Sequence, residues 1–591
     1  MDVPDHECAD EFGEFAGSRG DTPDQGREVD AVPAAGRGDG TLEERTVAMH
    51  LVVANFGHEA GGWRVDRHPR YLADLTGDNR ADIVGFGYAG AWVSVNEGDG
   101  TFVTPFVRRD VWGLQANAPW DPMTEAYARA VKVMQGRPAT DPTSWRFQAA
   151  MHGSYNAAPA GALWNQCQHQ SWYFLPWHRM YVYYFERIVR AAVRSVGGPA
   201  DFAIPYWNYD RGFPQNTLPR PFREATLPNG DPNPLFLPPP RRSSAIQSGG
   251  QLPSLVTSSS AADAMIDFAG PPGPGFGGGR QPPTQFGGST GGLEQTPHNV
   301  IHVQIGGNPS GNCQGGLMAD PFCAALDPIF WLHHANIDRL WSSWLALGGG
   351  RADPPDASWN NQSFTFYDET GAAVQLTCAQ VVATAAQLDY TYDDQSTVTS
   401  SAVSSMDAPT PGPSGSRRPP ELVAATDRPV DLVGAALSVT LAVPASVRAL
   451  VASEDTATGR RVYLNVEDIE AERNPGVVYG VFLNMPSGTD DAHRFRHHAG
   501  NFTLFGIESM NDPDTPHGGV PGLRHTFDIT QLVARLAEAG LWNPDAITVT
   551  FAPITPLPPP ETADLAETFV ADAVQPSPTP VRVGRVSLFV G

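Results

Sequence analysis

Histidines grouped in two clusters are the residues of this chain best suited to chemistry. Sixteen histidines occur among its 591 residues. Seven of them form the clusters, which are His152, His169 and His178, then His298, His302, His333 and His334. Both clusters fall on predicted helices with aromatic-rich apolar runs, and His298 and His302 have the i, i+4 spacing of one helix face. This grouping predicts metal binding rather than isolated core or surface histidines.

The neighbouring residues narrow the choice of metal. Imidazole suits zinc, copper, iron or nickel. A di-iron bundle needs glutamate ligands with Glu-x-x-His spacing, which these predicted helices do not show. A zinc protease needs His-Glu-x-x-His, but Asn299 takes the glutamate position in HNVIH. An all-imidazole pair of sites with open positions favours two copper ions that bind one dioxygen between them.

Three helices are predicted around these clusters. DPMTEAYARAVKVMQ begins with Asp121 as a cap and Pro122 at the first helical position. WHRMYVYYFERIVRAAVRSV and DPIFWLHHANIDRLWSSWLAL repeat apolar residues with a period of about 3.6. Residues 211–296 are rich in Gly, Pro and Ser, which predicts a long loop that shapes a substrate entrance.

Two segments resemble the copper signatures of the tyrosinase and catechol oxidase family. They are HQSWYFLPWHRMYVYYFE at 169–186 and DPIFWLHHANID at 327–338. IPYWNYD at 204–210 and YTYDD at 390–394 are similar to further family landmarks. The resemblance covers residues 107–395 well and 431–591 more weakly. It implies a type-3 copper enzyme that uses dioxygen to convert phenols into ortho-quinones.

The resemblance also implies which histidines hold copper. Copper A would be held by His152, His169 and His178, and copper B by His298, His302 and His334. The second histidine of the His-His pair is the ligand in the family signature, so His333 is expected to pack in the helix or support a ligand. Asp338, one turn after His334, is expected to orient a neighbouring group or to pair with Arg179 or Arg339.

The cysteines are few, and one of them has a notable position. Cys167 stands two residues before His169, a spacing that resembles fungal tyrosinases and molluscan haemocyanins, in which the sulfur is bonded to an imidazole carbon. The resemblance implies the same thioether here, and a buried free thiol is the alternative. The five cysteines do not look like a disulfide framework. A Cys313–Cys323 pair and a reduced compartment fit the sequence equally well.

Three activities share such a site: a tyrosinase hydroxylates monophenols and oxidises diphenols, a catechol oxidase does only the latter, and a haemocyanin carries dioxygen. Glu294, four residues before His298, and Asn299 match family positions that hold a basic water for the phenol proton. This pair favours tyrosinase, although an exposed carboxylate and a surface amide are the alternative. Carriers are generally large multi-unit assemblies, which disfavours that interpretation. Pro321 stands where several plant catechol oxidases carry a bulky phenylalanine over copper A, so a wider mouth is predicted.

Charge and the N-terminal region limit the remaining functions. The net charge of −25 argues against nucleic acid or anionic membranes as partners. Residues 1–45 are predicted to be disordered and show no signal pattern, which makes a cytoplasmic location the default. Residues 46–105 look β-rich, and LADLTGDNRADIVGFG resembles one FG-GAP or VCBS repeat. Its candidate calcium ligands are Asp74, Thr76, Asp78, Arg80 and Asp82.

The C-terminal part completes the predicted organisation, a multidomain α+β protein. Residues 106–395 form a mainly helical dicopper core, expected to be a four-helix bundle, and 396–430 a linker. Residues 431–591 alternate like the strands of an antiparallel sandwich. The resemblance implies that this domain shields the copper entrance, with Phe495 or Phe502 as candidate plugs, and Ser416-Arg417-Arg418 offers a cleavage site to an activating protease. A domain that only stabilises the fold or aids copper loading is the alternative. A phenol, dioxygen and a copper chaperone are the other expected partners.

Overall fold

The computed structural model describes most of the chain beyond residue 68. The described ranges are 69–73, 80–87, 90–96, 102–103, 105–116, 118–270, 275–286, 288–394, 420–445, 461–511, 522–559 and 580–591. Within them, no helix has the length and apolar character needed to cross a membrane. Helices dominate the middle of the chain and strands dominate both flanks, so the protein is α+β. The predicted disordered segment 1–45 lies outside the described residues.

The three predicted helices are confirmed. They are Pro122–Gln135, Phe174–Ser195 and Ile329–Ala346, and a fourth helix is Trp145–His152. Asp121 caps the first by accepting the Met123 N–H at 2.8 Å. Phe174–Ser195 packs against both Pro122–Gln135 and Ile329–Ala346. It is buried along almost its whole length, because these helices and the strand Ser363–Tyr367 all pack against it.

A buried ion-pair network joins the helices that carry the two histidine clusters. Asp338 pairs with Arg179 across the two long helices and with Arg108 at 3.1 Å. The hydroxyls of Tyr390 and Tyr392 donate to the same carboxylate. These contacts hold the pKa of Asp338 below its usual range although burial opposes this. The predicted ion pair between Asp338 and Arg179 is therefore confirmed. The YTYDD segment contributes two tyrosine hydroxyls to the same network.

Shorter elements surround this core. The strands Phe106–Arg108 and Tyr390–Tyr392 pair in parallel, and Ser363–Tyr367 pairs with Ala373–Thr377 in an antiparallel hairpin. The loop predicted over 211–296 contains several single helical turns. The short α-helices of the whole core are Val111–Leu114, Ser244–Gln247, Ser254–Thr257, Ser260–Asp263, Ala357–Asn360 and Thr384–Gln387.

The N-terminal β segment is an antiparallel sheet. Its strands, in sheet order, are Arg70–Ala73, Asp82–Gly87, Gly90–Asn96 and Phe102–Val103. Asp74, Thr76 and Asp78 lie outside the described residues. The carboxylate of Asp82 is buried and accepts the backbone N–H of Asn96 at 2.9 Å. Calcium binding therefore stays a prediction.

Two antiparallel sheets make up the C-terminal part. One contains Glu421–Ala425, Val430–Leu432, Val462–Glu470, Leu523–Asp528 and Val581–Val590. The other contains Leu437–Leu441, Val478–Leu483, His498–Phe502 and Ile547–Ile554. Among the residues of this part that the structure describes, the α-helices are Asp491–Arg494, Ile507–Asn511 and Thr530–Glu538. Apolar side chains of both sheets form one hydrophobic cluster.

The C-terminal sheets differ from the prediction in two places. The linker was predicted to reach residue 430, but Glu421–Ala425 already pairs with Val581–Val590, because apolar residues follow the Pro-Pro step. The predicted strand GNFTLFGI ends at Phe502 and turns toward the Ile507–Asn511 helix. Gly506, with a φ of +85°, permits this turn.

Candidate metal centre

The first histidine cluster is assembled by two helices and the loop between them. His152 is the last residue of the Trp145–His152 helix. His169 lies in the loop that precedes Phe174–Ser195, and His178 lies in the second turn of that helix. All three side chains are buried. The structure therefore brings the predicted copper A ligands together.

The second cluster lies on a kinked helix and on the Ile329–Ala346 helix. Glu294–Asn299 forms one helical turn that is interrupted at Thr296, with φ −145° and ψ 122°, and continues as Val300–Gly306. Pro297 at the kink removes a backbone donor. His298 and His302 face the same side, with ring centroids 4.6 Å apart. His334, one residue after His333, faces them at 4.9 and 5.5 Å.

Oxygen acceptors orient four of the imidazoles through their Nδ1 atoms. The pairs are His152 with Pro321 O at 2.8 Å, His178 with Phe174 O at 2.8 Å, His302 with Met318 O at 2.7 Å and His298 with Asn299 Oδ1 at 2.8 Å. A carbonyl oxygen can only accept, so the proton resides on Nδ1. The lone pair on Nε2 is then free to bind a metal.

The Nε2 atoms test whether the residues fit a pair of metal ions. Those of His152, His169, His178 and His298 are buried without any hydrogen-bond partner among the described residues. The Nε2 atoms of His302 and His334 lie 3.3 Å apart. Buried polar atoms without partners are rare and costly. Metal ions at this point would satisfy all of them, so the donor set fits an all-imidazole dimetal site.

The two clusters adjoin each other. The rings of His178 and His334, one from each cluster, stack with centroids 4.5 Å apart. Ligand atoms of His152, His178 and His334 lie within 4.8 Å of one another. Two metal ions bound by these histidines would therefore be neighbours that can share one small molecule.

His333 lies closer to the second cluster than its predicted packing role required. Its ligand atoms share a group with those of His298, His302 and His334, all within 4.8 Å. The Tyr209 hydroxyl is 3.3 Å from His333 Nδ1, so IPYWNYD supplies a partner to this ring. Burial and the neighbouring imidazoles hold its pKa well below the usual value.

Burial keeps the imidazoles neutral. It lowers the pKa of His152 to about 4. It also lowers the pKa of His169, His178, His298 and His334 well below the usual value, and neighbouring imidazoles add to the effect. Metal binding requires the unprotonated ring, so these rings are ready for it at neutral pH.

Cys167 lies against His169 as the Cys-x-His spacing predicted. Its Sγ atom is fully buried and lies 3.5 Å from Nδ1 of His169. The Gln285 side-chain amide donates to this sulfur at 3.3 Å. Burial raises the pKa of the Cys167 thiol to about 12. Sulfur and imidazole carbon are thus held near each other, although the thioether itself stays a prediction.

Glu294 and Asn299 are both buried beside the histidines. Both carboxylate oxygens of Glu294 accept the backbone N–H of Gln170, the residue after His169, at 2.8 and 3.0 Å. Burial raises the pKa of Glu294 to about 8. Asn299 accepts from His298. The alternative of an exposed carboxylate and a surface amide is therefore wrong for both residues.

Phe286 and Phe505 are site residues that sequence analysis missed. The Phe286 ring stacks on His169 at 5.1 Å. Phe505, from the C-terminal part, lies 4.7 Å from His302, 5.7 Å from His169 and 6.0 Å from His298, measured between ring centroids. One feature of the sequence could have indicated Phe505: it is an aromatic residue directly before a glycine, Gly506, that lies in a turn.

The predicted gate and plug residues have different positions. The carbonyl of Pro321 contacts Nδ1 of His152, and the role of Pro321 as a gate stays a prediction. Phe495 is 58% exposed, and Phe502 packs inside the C-terminal cluster against Tyr479. Phe505, rather than either of these, reaches the histidines.

Comparison with known proteins decides the family. The model of the common central domain of tyrosinase matches residues 142–234 and 251–347, which contain all six predicted ligands. Tyrosinase HcTyr1 of Hahella sp. strain CCB-MM4 is 32% identical over 492 residues, which cover 78% of this chain and 95% of that protein. The chain belongs to the tyrosinase family. It is accordingly a type-3 copper oxidoreductase, and its cofactor is a pair of copper ions.

Other comparisons extend over the flanking regions. The polyphenol oxidase middle domain matches 353–400, and a domain of unknown function, DUF7868, matches 419–591. A chloroplastic polyphenol oxidase of Malus domestica is 29% identical, with 62% of this chain and 64% of the relative aligned. The structure of latent apple tyrosinase has a TM-score of 0.52 at 22% identity, covering 82% of this chain and 97% of that one. This last likeness supports a shared fold.

Proposed function

We propose that this tyrosinase-type oxidase hydroxylates monophenols and oxidises ortho-diphenols, with copper held by the six named histidines. The observation that carries the ligand set is the convergence of buried imidazole nitrogens. The Nε2 atoms of His152, His169, His178 and His298 have no partner among the described residues, and those of His302 and His334 lie 3.3 Å apart. Bound copper supplies the activation of dioxygen. The chain itself binds the phenol, removes its proton and excludes water.

Glu294 is the proposed source of the basic function for monophenols. A free phenol has a pKa of about 10, so a base with an ordinary carboxylate pKa is poorly matched to it. Burial raises the pKa of Glu294 to about 8, which brings the pKa of this carboxyl closer to that of the phenol. Glu294 contacts the backbone N–H of Gln170, next to His169, and Asn299 contacts the ring of His298. A water between them would accept the proton close to both clusters.

Glu294→Gln is expected to lower monophenol turnover by about 10²-fold, because a positioned base contributes on this scale. Diphenol oxidation should fall less than about threefold, because this reaction contains no hydroxylation step. Tyramine and the matching catechol are assayed in parallel. Asp353→Asn is the matched control, because Asp353 is a half-buried carboxyl that accepts a hydrogen bond from the Trp341 indole at 3.0 Å. Equal losses with both substrates would exclude the proposed role, and a wild type that oxidises only catechol would exclude monophenol hydroxylation.

Catechol oxidation alone is the second candidate function. Phe286 favours it, because its ring stacks on His169 at 5.1 Å and narrows the approach to copper A. The wild-type substrate comparison decides between the two. Reversible dioxygen binding without turnover would instead indicate a carrier.

A Cys167–His169 thioether is the second part of the proposal. Forming the S–C bond removes one hydrogen from the thiol and one from the ring, and dioxygen is the oxidant that takes up the two electrons. The 3.5 Å separation of Sγ and Nδ1 supports this bond. The cross-link would fix the ring of His169, which lies on a loop.

Copper loading is expected to make the peptide that contains both residues lighter by two hydrogens. Tryptic peptides of apo and copper-loaded protein are compared by mass spectrometry. In the denatured, reduced chain, Cys378 should react with iodoacetamide while Cys167 does not. Cys378 is a suitable control, because it is also a buried free cysteine. Full alkylation of Cys167 in active enzyme would rule out the thioether.

The C-terminal part, residues 431–591 by the sequence boundaries, is proposed to be a β-sandwich that keeps the enzyme latent. A curated relative from Prunus armeniaca is named a latent form of polyphenol oxidase. In this chain, Phe505 packs within the catalytic core cluster, and Phe286 packs within the C-terminal cluster. Each part thus places one aromatic ring in the other. A protease cutting near 416–418 and a copper chaperone remain proposed partners.

For the N-terminal segment, an FG-GAP-like appendage that binds calcium remains the proposal. The four-stranded sheet supports a β-appendage. A cytoplasmic location is the proposal that follows from the sequence. The Cys313–Cys323 disulfide is more typical of oxidising compartments.

A further inference from the structure

The disulfide between Cys313 and Cys323 closes a short loop, here called the disulfide loop, residues 313–323. Cys323 is buried and Cys313 is half-buried. Between them the backbone forms a single 3-10 turn, Leu317–Ala319. Gly316 precedes this turn with a φ of +63°. The loop therefore has little regular structure of its own.

Two carbonyl groups of this loop reach the two copper sites. Met318 O accepts Nδ1–H of His302, a proposed copper B ligand, at 2.7 Å. Pro321 O accepts Nδ1–H of His152, a proposed copper A ligand, at 2.8 Å. The acceptor of Nδ1–H fixes the tautomer and direction of a metal-binding imidazole. One loop thus orients one ligand at each site.

The loop backbone also touches the helix ends behind both ligands. Gly153 follows His152, and a Cβ there would lie 2.6 Å from Pro321 O and 2.7 Å from Phe322 Cα. Gly306 ends the helix of His302, and a Cβ there would collide with the backbone nitrogen of Ala319. A shift of the loop would therefore move both helix ends.

We infer that the disulfide loop is the common support of His152 and His302, and that the Cys313–Cys323 bond sets how firmly copper is retained at both sites. The inference rests on the proposed ligand set. The two cysteines act as positioning residues through backbone carbonyls and touch neither substrate nor copper. His178 offers an internal comparison, because its Nδ1 bonds to Phe174 O within its own helix at 2.8 Å.

The test compares Cys313→Ser/Cys323→Ser with wild type and with Cys378→Ser, in which another buried cysteine is changed. Copper-loaded proteins are mixed with excess EDTA, and bound copper is followed over time. Loss of such outer supports typically weakens metal binding about 10–100-fold, so copper release from the double variant should be at least about tenfold faster. Cys378→Ser should match wild type. Equal release rates for the double variant and wild type would overturn the inference.

Hydrogen exchange of the apo-proteins separates positioning from general destabilisation. Peptides that contain 145–153 and 300–306 should exchange faster in the double variant, while the peptide with His178 should not change. Uniform acceleration in all three would overturn the positioning role. If the double variant does not fold, wild-type apo-protein is reduced with a phosphine, alkylated and measured in the same way. Wild type that loads no copper would disprove the ligand set, whereas exchange in the apo-protein still decides the role of the loop.

Discussion

His334→Ala is expected to abolish phenol oxidation and to leave about one copper per chain, because it removes one of three imidazoles at copper B. The His334 ring stacks on His178 at 4.5 Å, and its Nε2 lies 3.3 Å from Nε2 of His302. It thus stands where the two clusters meet. Bound copper is measured by atomic absorption, and occupancy by the optical change on adding hydrogen peroxide.

His333→Ala is the matched control, since it removes the adjacent ring of the same helix. We expect about two copper ions to remain and the free energy of unfolding to fall by about 1–3 kcal/mol. The loss would come from packing against Tyr209 and His298. Because His333 Nε2 is also buried without a partner among the described residues, the opposite result is a meaningful one. Copper loss in His333→Ala with retention in His334→Ala would reverse the ligand assignment.

The ligand-bearing helices could be predicted because their information is local. An Asp-Pro start, an apolar period near 3.6 and the i, i+4 pair His298 and His302 all act within a few residues. The two copper signatures added the family, which the comparisons confirmed. The burial of Glu294 and Asn299 was not local information, because it depends on the segment after the long loop folding against Gln170.

The supports of the site could not be predicted from residue types. Met318 and Pro321 act through backbone carbonyls, which every residue has. Phe505 was missed because strand alternation was extended through the turn at Gly506, whereas the strand ends at Phe502. Phe502 instead packs against Tyr479 and Phe551 inside the C-terminal part. Contacts between distant parts of the chain decide such residues.

Phe505 is the second residue at which one substitution should have a large effect. It belongs to the C-terminal part by sequence, yet it is buried among the rings of His169, His298 and His302. Gly506 lets the turn approach Phe286 so closely that any Cβ would collide with that ring. Gln295 also donates to Asn501 O at 2.9 Å, which holds the turn beside the copper B helix. A phenol ring and the Phe505 ring would compete for the same space.

Phe505→Ala is therefore expected to raise phenol turnover by the intact protein at least about tenfold. Removing a buried phenylalanine lowers the free energy of unfolding by about 3–5 kcal/mol. Part of this loss destabilises only the closed state, in which the Phe505 ring lies beside the histidines. Catechol oxidation is measured in the intact variant, and copper content is measured to show that loading is unchanged. A stop codon near Ala402 gives the fully open reference.

Phe495→Ala is the control for this experiment, because Phe495 is an exposed phenylalanine of the same domain, ten residues earlier in the chain. It should leave turnover unchanged. Phe505→Leu keeps an apolar side chain and should open the site less than alanine does. If Phe505→Ala and the truncated protein are no faster than wild type while copper content is equal, the C-terminal part does not keep the enzyme latent. If the truncated protein instead loses copper, the C-terminal part supports metal loading, in keeping with the contact of Asn474 with Ala319 O in the disulfide loop at 2.9 Å.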